Sequence, residues 1–154
     1  MMRRPAYVLS ALALLVFAIQ LVPYGRRHAN PDVTREPDWD GPRTRELFAR
    51  ACGDCHSNGT SWPWYSFVAP ASWLVQRDVE VGRSHLNVSE WDHEEKLGEE
   101  AADLVRAREM PPWFYLRLHA RARLSPEERE ALATGLAATF GTGTAPHHHE
   151  HDAP

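Results

Sequence analysis

Five consecutive residues, Cys52-Gly53-Asp54-Cys55-His56, form a C-x-x-C-H motif on which the interpretation of the whole chain depends. The motif contains both cysteines of the 154-residue sequence. In c-type haem attachment the two thiols bond the haem edge and the adjacent histidine ligates the iron. With two cysteines and nine histidines placed at random, this spacing arises roughly once in a thousand chains. The motif therefore predicts one covalent haem c on Cys52 and Cys55, with His56 as axial ligand.

Two other uses of a C-x-x-C pair stay open at this point, a redox dithiol and half of a metal site. A thioredoxin-like dithiol belongs to an α/β chain, and this sequence shows no strand pattern. A zinc site needs two more Cys or His residues at similar spacing, whereas His85, His93 and His119 are scattered. The pattern favours haem over both alternatives.

Met110 is the leading candidate for the sixth iron ligand. Pro111 and Pro112 follow it, and prolines end a helix and push the preceding residue towards an extended conformation. A methionine on such a rigid strap is suited to presenting its thioether to a flat ring. The alternatives are ligation by His85 or His119, an open five-coordinate iron, and a Met110 that only fills the core.

Aromatic residues are concentrated after the motif and after Met110. Haem is a large apolar plate, and aromatic rings pack on it with much buried area. The candidates for haem contact are therefore Trp62, Trp64, Tyr65, Trp73 and Trp113. The alternative is that these rings build the core of a small helical domain.

Helical periodicity predicts a small all-α, cytochrome c-like domain over residues 43–141. Serines able to act as N-caps precede three of the helical segments. The predicted helices cover residues 43–52, 72–83, 89–108 and 126–139.

The last predicted helix has the strongest start signal, with Ser125 as N-cap, Pro126 next and Glu128 at the third helical position. Small residues line one side of it. We expect this helix to cross the first one, with Gly135 against the face that carries Leu47 and Ala51.

Residues 1–27 predict an N-terminal membrane helix. Arg3 and Arg4 precede an almost wholly apolar run at residues 6–22, whose length is at the lower limit for a span. No A-x-A site follows, so an uncleaved anchor is favoured, while a cleaved signal peptide stays open. The expected location is the cytoplasmic membrane, single-pass, with the haem domain in the periplasm or cell exterior.

Two segments without predicted helices flank the domain. Residues 28–42 are rich in Pro, Asp and Asn and predict an extended linker. Residues 142–154 predict a disordered tail. Its histidines, which could bind a metal weakly, are His147, His148, His149 and His151.

Composition excludes a nucleic-acid partner. The formal net charge is -4, and there is no basic block of the kind that binds phosphate backbones. Residues 90–103 hold seven acids against one lysine, which suggests either a solvated helix or a face for a basic protein partner.

The stretch over residues 39–132 resembles a bacterial family of exported haem-binding domains related to c-type cytochromes. The similar pieces are ACGDCHSNGTSWPWYSFVAPASWLVQRDVEVGRSHLNVSEW, EMPPWFYLRLH and ARLSPEE. The resemblance implies a single covalent c-type haem on Cys52 and Cys55, with His56 as axial ligand. It implies no particular reaction, because the family is defined by haem binding.

Two functions follow as expectations. An electron carrier keeps both axial positions of the iron filled, so that little reorganises when the iron changes oxidation state. A peroxidase-like enzyme, or a gas or redox sensor, needs an open or displaceable sixth position. Met110 followed by Pro111 favours transfer of electrons to an unidentified redox partner.

Overall fold

Helices make up the regular structure, as the sequence patterns predict. A computed structural model describes residues 3–92 and 98–141 of the chain. Its α-helices are α1 (Arg3–Ile19), α2 (Pro42–Ala51), α3 (Gly53–His56), α4 (Ala71–His85), α5 (Ala101–Arg106), α6 (Trp113–Leu118) and α7 (Pro126–Phe140). Short 3-10 helices cover Trp64–Phe67 and Ala120–Ala122. The all-α class is confirmed for the described residues, which contain no strand beyond one isolated bridge.

The predicted transmembrane helix is wrong. Within residues 3–92 and 98–141, no helix is both long enough and apolar enough to cross a membrane. Helix α1 has 17 residues and begins with Arg3 and Arg4, whereas a span needs about 20 predominantly apolar residues. The predicted location as a single-pass protein of the cytoplasmic membrane is corrected on the same finding.

The core lies where α2 and α5 pack against α7. Leu47 of α2 and Leu132 of α7 are fully buried, and Leu136 and Val105 are nearly so. Each buried leucine contributes enough that truncation to alanine costs about 2–5 kcal/mol. This cluster continues directly into the walls of the candidate site.

Helix α7 begins with the predicted capping box. The Ser125 hydroxyl accepts from the Glu128 backbone N–H at 3.1 Å, and the Glu128 carboxylate accepts from the Ser125 backbone N–H at 3.1 Å. Pro126 occupies the first helical turn. The two bonds satisfy donors that a helix start leaves without partners.

The prediction of a helix over residues 89–108 is wrong. In the described residues of that range only α5 is helical, and Ser89 is buried rather than capping a helix. The Ser89 carbonyl accepts from the Thr34 N–H at 2.9 Å, and its hydroxyl accepts from the Asn58 N–H at 2.9 Å. Contacts with distant segments therefore override the local helix signal. Residues 93–97 of the acidic stretch lie outside the described residues.

Residues 28–42 are extended chain that also contributes to the core. The Trp39 ring lies 5.3 Å from that of Phe48 and 5.8 Å from that of Phe140, measured between centroids. The segment thus closes the end of the α2/α7 pair. The predicted disordered tail at residues 142–154, with its histidines, lies outside the described residues.

Helices α2 and α7 cross as predicted, with Thr44 at the point of closest approach. A Cβ on Gly135 would lie 2.7 and 2.8 Å from Cγ2 and Cβ of Thr44, and closer still to its Oγ1. Thr44 lies one turn before Leu47, on the same face of α2. The predicted face is therefore correct, and Gly135 packs against the buried Thr44 on that face.

Gly135→Ala should lower the free energy of unfolding by about 1–3 kcal/mol, although alanine is the better helix former. The reason is that the new methyl overlaps the short Thr44 side chain, which cannot rotate away. Urea denaturation measures the change, and Thr44→Gly in the same chain should recover part of it. Gly59→Ala is the control, because a Cβ there meets nothing closer than 3.5 Å. An unchanged stability for Gly135→Ala would contradict the close crossing.

Candidate functional site

The C-x-x-C-H motif occupies the end of α2 and the single turn of α3. The Cys52 N–H donates to the Phe48 carbonyl at 2.7 Å, which ends α2. Helix α4 packs directly on this turn at Gly82, where a Cβ would lie 2.5 Å from the Cys55 carbonyl oxygen and 2.9 Å from the Cys55 Cβ. Only a glycine permits this approach, so α4 forms one wall of the site.

His56 is oriented by a hydrogen bond to the backbone. Its Nδ1 lies 3.0 Å from the Leu86 carbonyl oxygen. A carbonyl only accepts, so Nδ1 carries the proton and Nε2 keeps its lone pair. Burial lowers the pKa of His56 from its ordinary value, which favours the neutral imidazole that binds metals. The ring is thus held with Nε2 available as a ligand.

A cavity of about 350 Å³ brings the motif and Met110 together. Cys52, Cys55, His56 and Met110 all line it. The remaining walls are mainly apolar and include Phe48, Val81, Leu86, Leu104, Val105 and Leu136. His56 and Met110 are 54 positions apart in sequence, and the fold places both on the wall of one apolar cavity.

Met110 is held by the turn that ends α5. Its backbone N–H donates to the Leu104 carbonyl at 3.2 Å. Arg108 has φ of 61°, a left-handed conformation that commonly closes a helix and turns the chain back. Pro111, the next residue after Met110, is buried and also lines the cavity. Met110 therefore has a fixed backbone at the cavity wall.

Both motif cysteines are weak acids in this setting. Burial, with the neighbouring Cys55 as a smaller cause, raises the pKa of Cys52 to about 12. Burial, with a smaller contribution from Asp54, raises the pKa of Cys55 to about 12 as well. Thiol–disulfide exchange needs a thiolate at ambient pH. The electrostatics of the site therefore disfavour the dithiol alternative.

Comparison with known proteins identifies the family. A family model described as a haem-binding domain matches residues 14–138, which is most of the chain. The chain belongs to this haem-binding family. No curated protein and no solved structure matches it significantly. Haem binding is thus established at the family level.

The residues of the cavity fit a haem. Its walls are mainly apolar, as a porphyrin requires, and the motif and Met110 supply the groups that haem uses, two thiols, an imidazole nitrogen and a thioether. In residues 3–92 and 98–141, no group of three or more His, Cys, Asp or Glu side chains is placed to hold a bare metal ion. Cys52 and Cys55 would hold the haem edge, with His56 and Met110 on the iron.

The two alternative histidine ligands lie in different places. His85 lines the same cavity, but it is exposed at the end of α4 and its Nδ1 lies 2.8 Å from the Val81 carbonyl. His119 does not line this cavity. Its Nδ1 lies 2.9 Å from the Tyr115 carbonyl and its Nε2 lies 3.2 Å from the Tyr65 hydroxyl, so both ring nitrogens already have partners. His119 therefore lies outside the cavity that His56 lines, away from the proposed iron site.

The five predicted aromatic contacts lie outside the lining of this cavity. Trp62 packs on His28 with ring centroids 4.5 Å apart, and Trp73 is half-buried on α4. Tyr65 lines a second cavity, together with the largely exposed Trp64. Trp113 is exposed at the start of α6. The rings that do line the first cavity are those of Phe48, Phe114 and Tyr115.

A hydrogen bond joins the motif to the helix that follows Met110. The Tyr115 hydroxyl donates to Asp54 Oδ2 at 2.6 Å. Asp54 Oδ1 accepts from the Ser61 N–H at 2.9 Å, so the carboxylate is bonded at both oxygens. Burial, helped by the bond to Asp54, raises the pKa of Tyr115 above its ordinary value, so the phenol stays protonated. This bond ties α6 to α3 beside the cavity, which Tyr115 also lines.

Tyr115→Phe should lower the free energy of unfolding by about 1–3 kcal/mol, because a bond to a charged acceptor is lost in a partly buried site. Urea denaturation of the holoprotein measures the change. Tyr24→Phe is the matched control, since the Tyr24 hydroxyl bonds Glu80 at 2.9 Å on an exposed surface and its loss should cost under about 0.5 kcal/mol. Equal effects of the two substitutions would contradict a structural role for the Tyr115–Asp54 bond.

Several site residues could not be found from the sequence. The Leu86 carbonyl is backbone, and backbone carries no residue-type signal. Tyr115 is one of several aromatic residues that follow Met110, and its partner Asp54 lies 61 positions away. Gly82 is an isolated glycine inside a helical pattern, which often marks close packing, and this was the one available signal.

Proposed function

We propose that the protein holds one haem c covalently on Cys52 and Cys55 and transfers single electrons, with His56 and Met110 as the axial ligands of the iron. The observation that carries this proposal is the shared apolar cavity, lined by all four of these side chains. An apolar enclosure with two filled axial positions suits an electron carrier better than a catalyst, which needs a site for its substrate.

Each residue has a defined task in this proposal. Bound haem iron supplies a one-electron Fe(III)/Fe(II) couple. Cys52 and Cys55 each add sulfur and hydrogen across one vinyl double bond, so a thioether forms without an oxidant or a leaving group. His56 offers Nε2 because the Leu86 carbonyl holds Nδ1–H.

The mainly apolar walls would keep the polarity around the iron low. Leu104 and Val105 lie beside Met110 in the lining, and Leu136 comes from α7. A buried, apolar setting and a thioether ligand both favour the reduced iron. We therefore expect a higher reduction potential than a bis-histidine site would have.

One optical experiment on the purified holoprotein tests the proposal. The ferrous protein is exposed to CO and its spectrum is followed over time, and acid–acetone extraction is applied to the same sample. A six-coordinate spectrum that CO leaves unchanged, with haem retained on the polypeptide, is the expected result. Rapid CO binding would instead support the peroxidase or sensor alternative, and haem in the acetone phase would contradict covalent attachment.

A further inference from the structure

A second cavity lies against the haem cavity and opens to the surface. It has a volume of about 660 Å³ and shares four lining residues with the first, Cys55, Asp78, Phe114 and Tyr115. Cys55 and Tyr115 therefore separate the two spaces. A group bound in the second cavity would therefore be separated from the haem site, at Cys55, by about the thickness of one side chain.

The rim of this second cavity is formed by large apolar side chains that face solvent. Trp64 is 79% exposed, Leu74 is 63% exposed and Leu118 is 70% exposed, and all three line the cavity. Trp113 continues the patch, because its ring lies 6.0 Å from that of Phe114. Contiguous exposed apolar surface of this kind marks a site of interaction with another molecule.

The charge around the groove is opposite in sign to that of the whole chain. Residues 61–76 contain no charged side chain, and residues 113–124 contain three arginines and no acid, in a protein of net charge -4. The Arg117 guanidinium lies 4.9 Å over the Trp113 ring, and the Arg123 Nε donates to the Leu116 carbonyl at 3.0 Å. Arg117 therefore lies on the apolar patch at Trp113, and Arg121 and Arg123 follow it within six residues of the chain.

The acids near the groove are already engaged. Asp54 accepts from the Tyr115 hydroxyl and the Ser61 N–H. Asp78, on the wall shared by both cavities, lies 3.8 Å from the Arg77 guanidinium. Both carboxylates belong to the lining of the groove, so the surface that a partner would meet is basic only on the side of residues 113–124, where the arginines lie.

We propose that this groove, with its rim of Trp64, Leu74, Trp113 and Leu118 and its arginines Arg117, Arg121 and Arg123, is the docking surface for an acidic redox partner protein. The partner inserts an apolar side chain into the groove, and acidic residues around that side chain pair with the arginines. This proposal rests on the proposed electron transfer, and it specifies the route by which electrons enter or leave, through the Cys55 edge. Complementary charge sets partner choice and association rate at such surfaces.

Peptide binding to the reduced holoprotein tests the surface. The probe is a hexapeptide with Leu-Phe at its centre and two acidic residues on each side, and its comparison is the same peptide with lysines in place of the acids. Binding is followed by the indole N–H resonances in ¹H–¹⁵N spectra. The acidic peptide should shift the Trp64 and Trp113 resonances but leave that of Trp39 unchanged, and should bind less at about 200 mM than at about 20 mM salt.

Two variants and a matched control assign the contacts. Arg117→Ala with Arg121→Ala should weaken binding of the acidic peptide at least about fivefold, and Leu118→Ser should weaken it without changing the charge. Arg26→Ala with Arg27→Ala removes the same charge elsewhere and should leave binding unchanged. Equal binding of the two peptides, or equal effects of the two arginine pairs, would overturn the proposal.

The outcomes separate this proposal from the proposed function. If the acidic peptide fails to bind while the iron stays six-coordinate under CO, the docking surface is wrong and electron transfer stands. If the acidic peptide binds selectively but CO occupies the iron, the surface stands as a binding site and electron transfer does not.

Discussion

Met110→Ala should open the iron and change the protein from a closed electron carrier to a ligand-binding haem protein. Alanine has no donor atom, so the iron loses the thioether that Met110 would supply from the cavity wall. We expect the weak far-red to near-infrared band of ferric sulfur ligation to disappear and the ferrous protein to bind CO. The reduction potential should fall by on the order of 0.1 V, because a thioether stabilises Fe(II).

Optical spectroscopy and a redox titration measure these changes, and a second cavity residue provides the control. Leu104→Ala removes a similar volume from the same lining and should lower stability, with the far-red band retained. Met110→His should keep the iron six-coordinate and lower the potential. An unchanged spectrum for Met110→Ala would exclude Met110, and His85, which lines the cavity, would then be the next residue to replace.

Cys52→Ala together with Cys55→Ala should eliminate covalent haem, and each single substitution should reduce holoprotein strongly. These are the chain's two cysteines, so no other thiol can form a thioether. The pyridine haemochrome of each single variant should shift towards that of a haem with one unsaturated vinyl group. Haem staining after denaturing electrophoresis measures what remains attached.

Loss of folding must be separated from loss of attachment. Val79→Ala removes buried volume from α4, at a cost of about 1–3 kcal/mol, and should leave haem attached. Far-ultraviolet circular dichroism of the cysteine variants should still show the helices. Covalent haem persisting in the double variant would refute thioether attachment through the motif.

Local sequence signals correctly predicted the features that depend only on neighbouring residues. The capping box at Ser125 and the apolar face of α2 are properties of neighbouring residues, and the structure contains them. The crossing at Gly135 also followed from a small-residue strip. Which residue of α2 lies against Gly135 depends on the axial offset between the two helices, and periodicity does not specify that offset. In the structure this residue is Thr44.

Non-local packing explains the failed helix over residues 89–108, and helix length explains the failed membrane span. The signal at Ser89 is a good helix start in isolation, but the buried Ser89 bonds segments that come from Thr34 and Asn58. The apolar leader had the composition of a membrane span, yet α1 has only 17 residues. In both cases the local pattern was present, but a further condition was not met. Ser89 bonds distant segments instead of capping a helix, and α1 is shorter than a membrane span.

Haem binding could be predicted from five residues because the proposed covalent attachment needs its donors at adjacent positions, and adjacency is a property of the chain. The shared cavity of His56 and Met110, the Leu86 carbonyl that orients the imidazole, and the bond from Tyr115 to Asp54 could not, since each joins groups that are 30 to 61 positions apart. Such contacts depend on the summed packing of several helices. One-dimensional spacing therefore identified the chemistry, and three-dimensional packing determined which groups enclose and orient it.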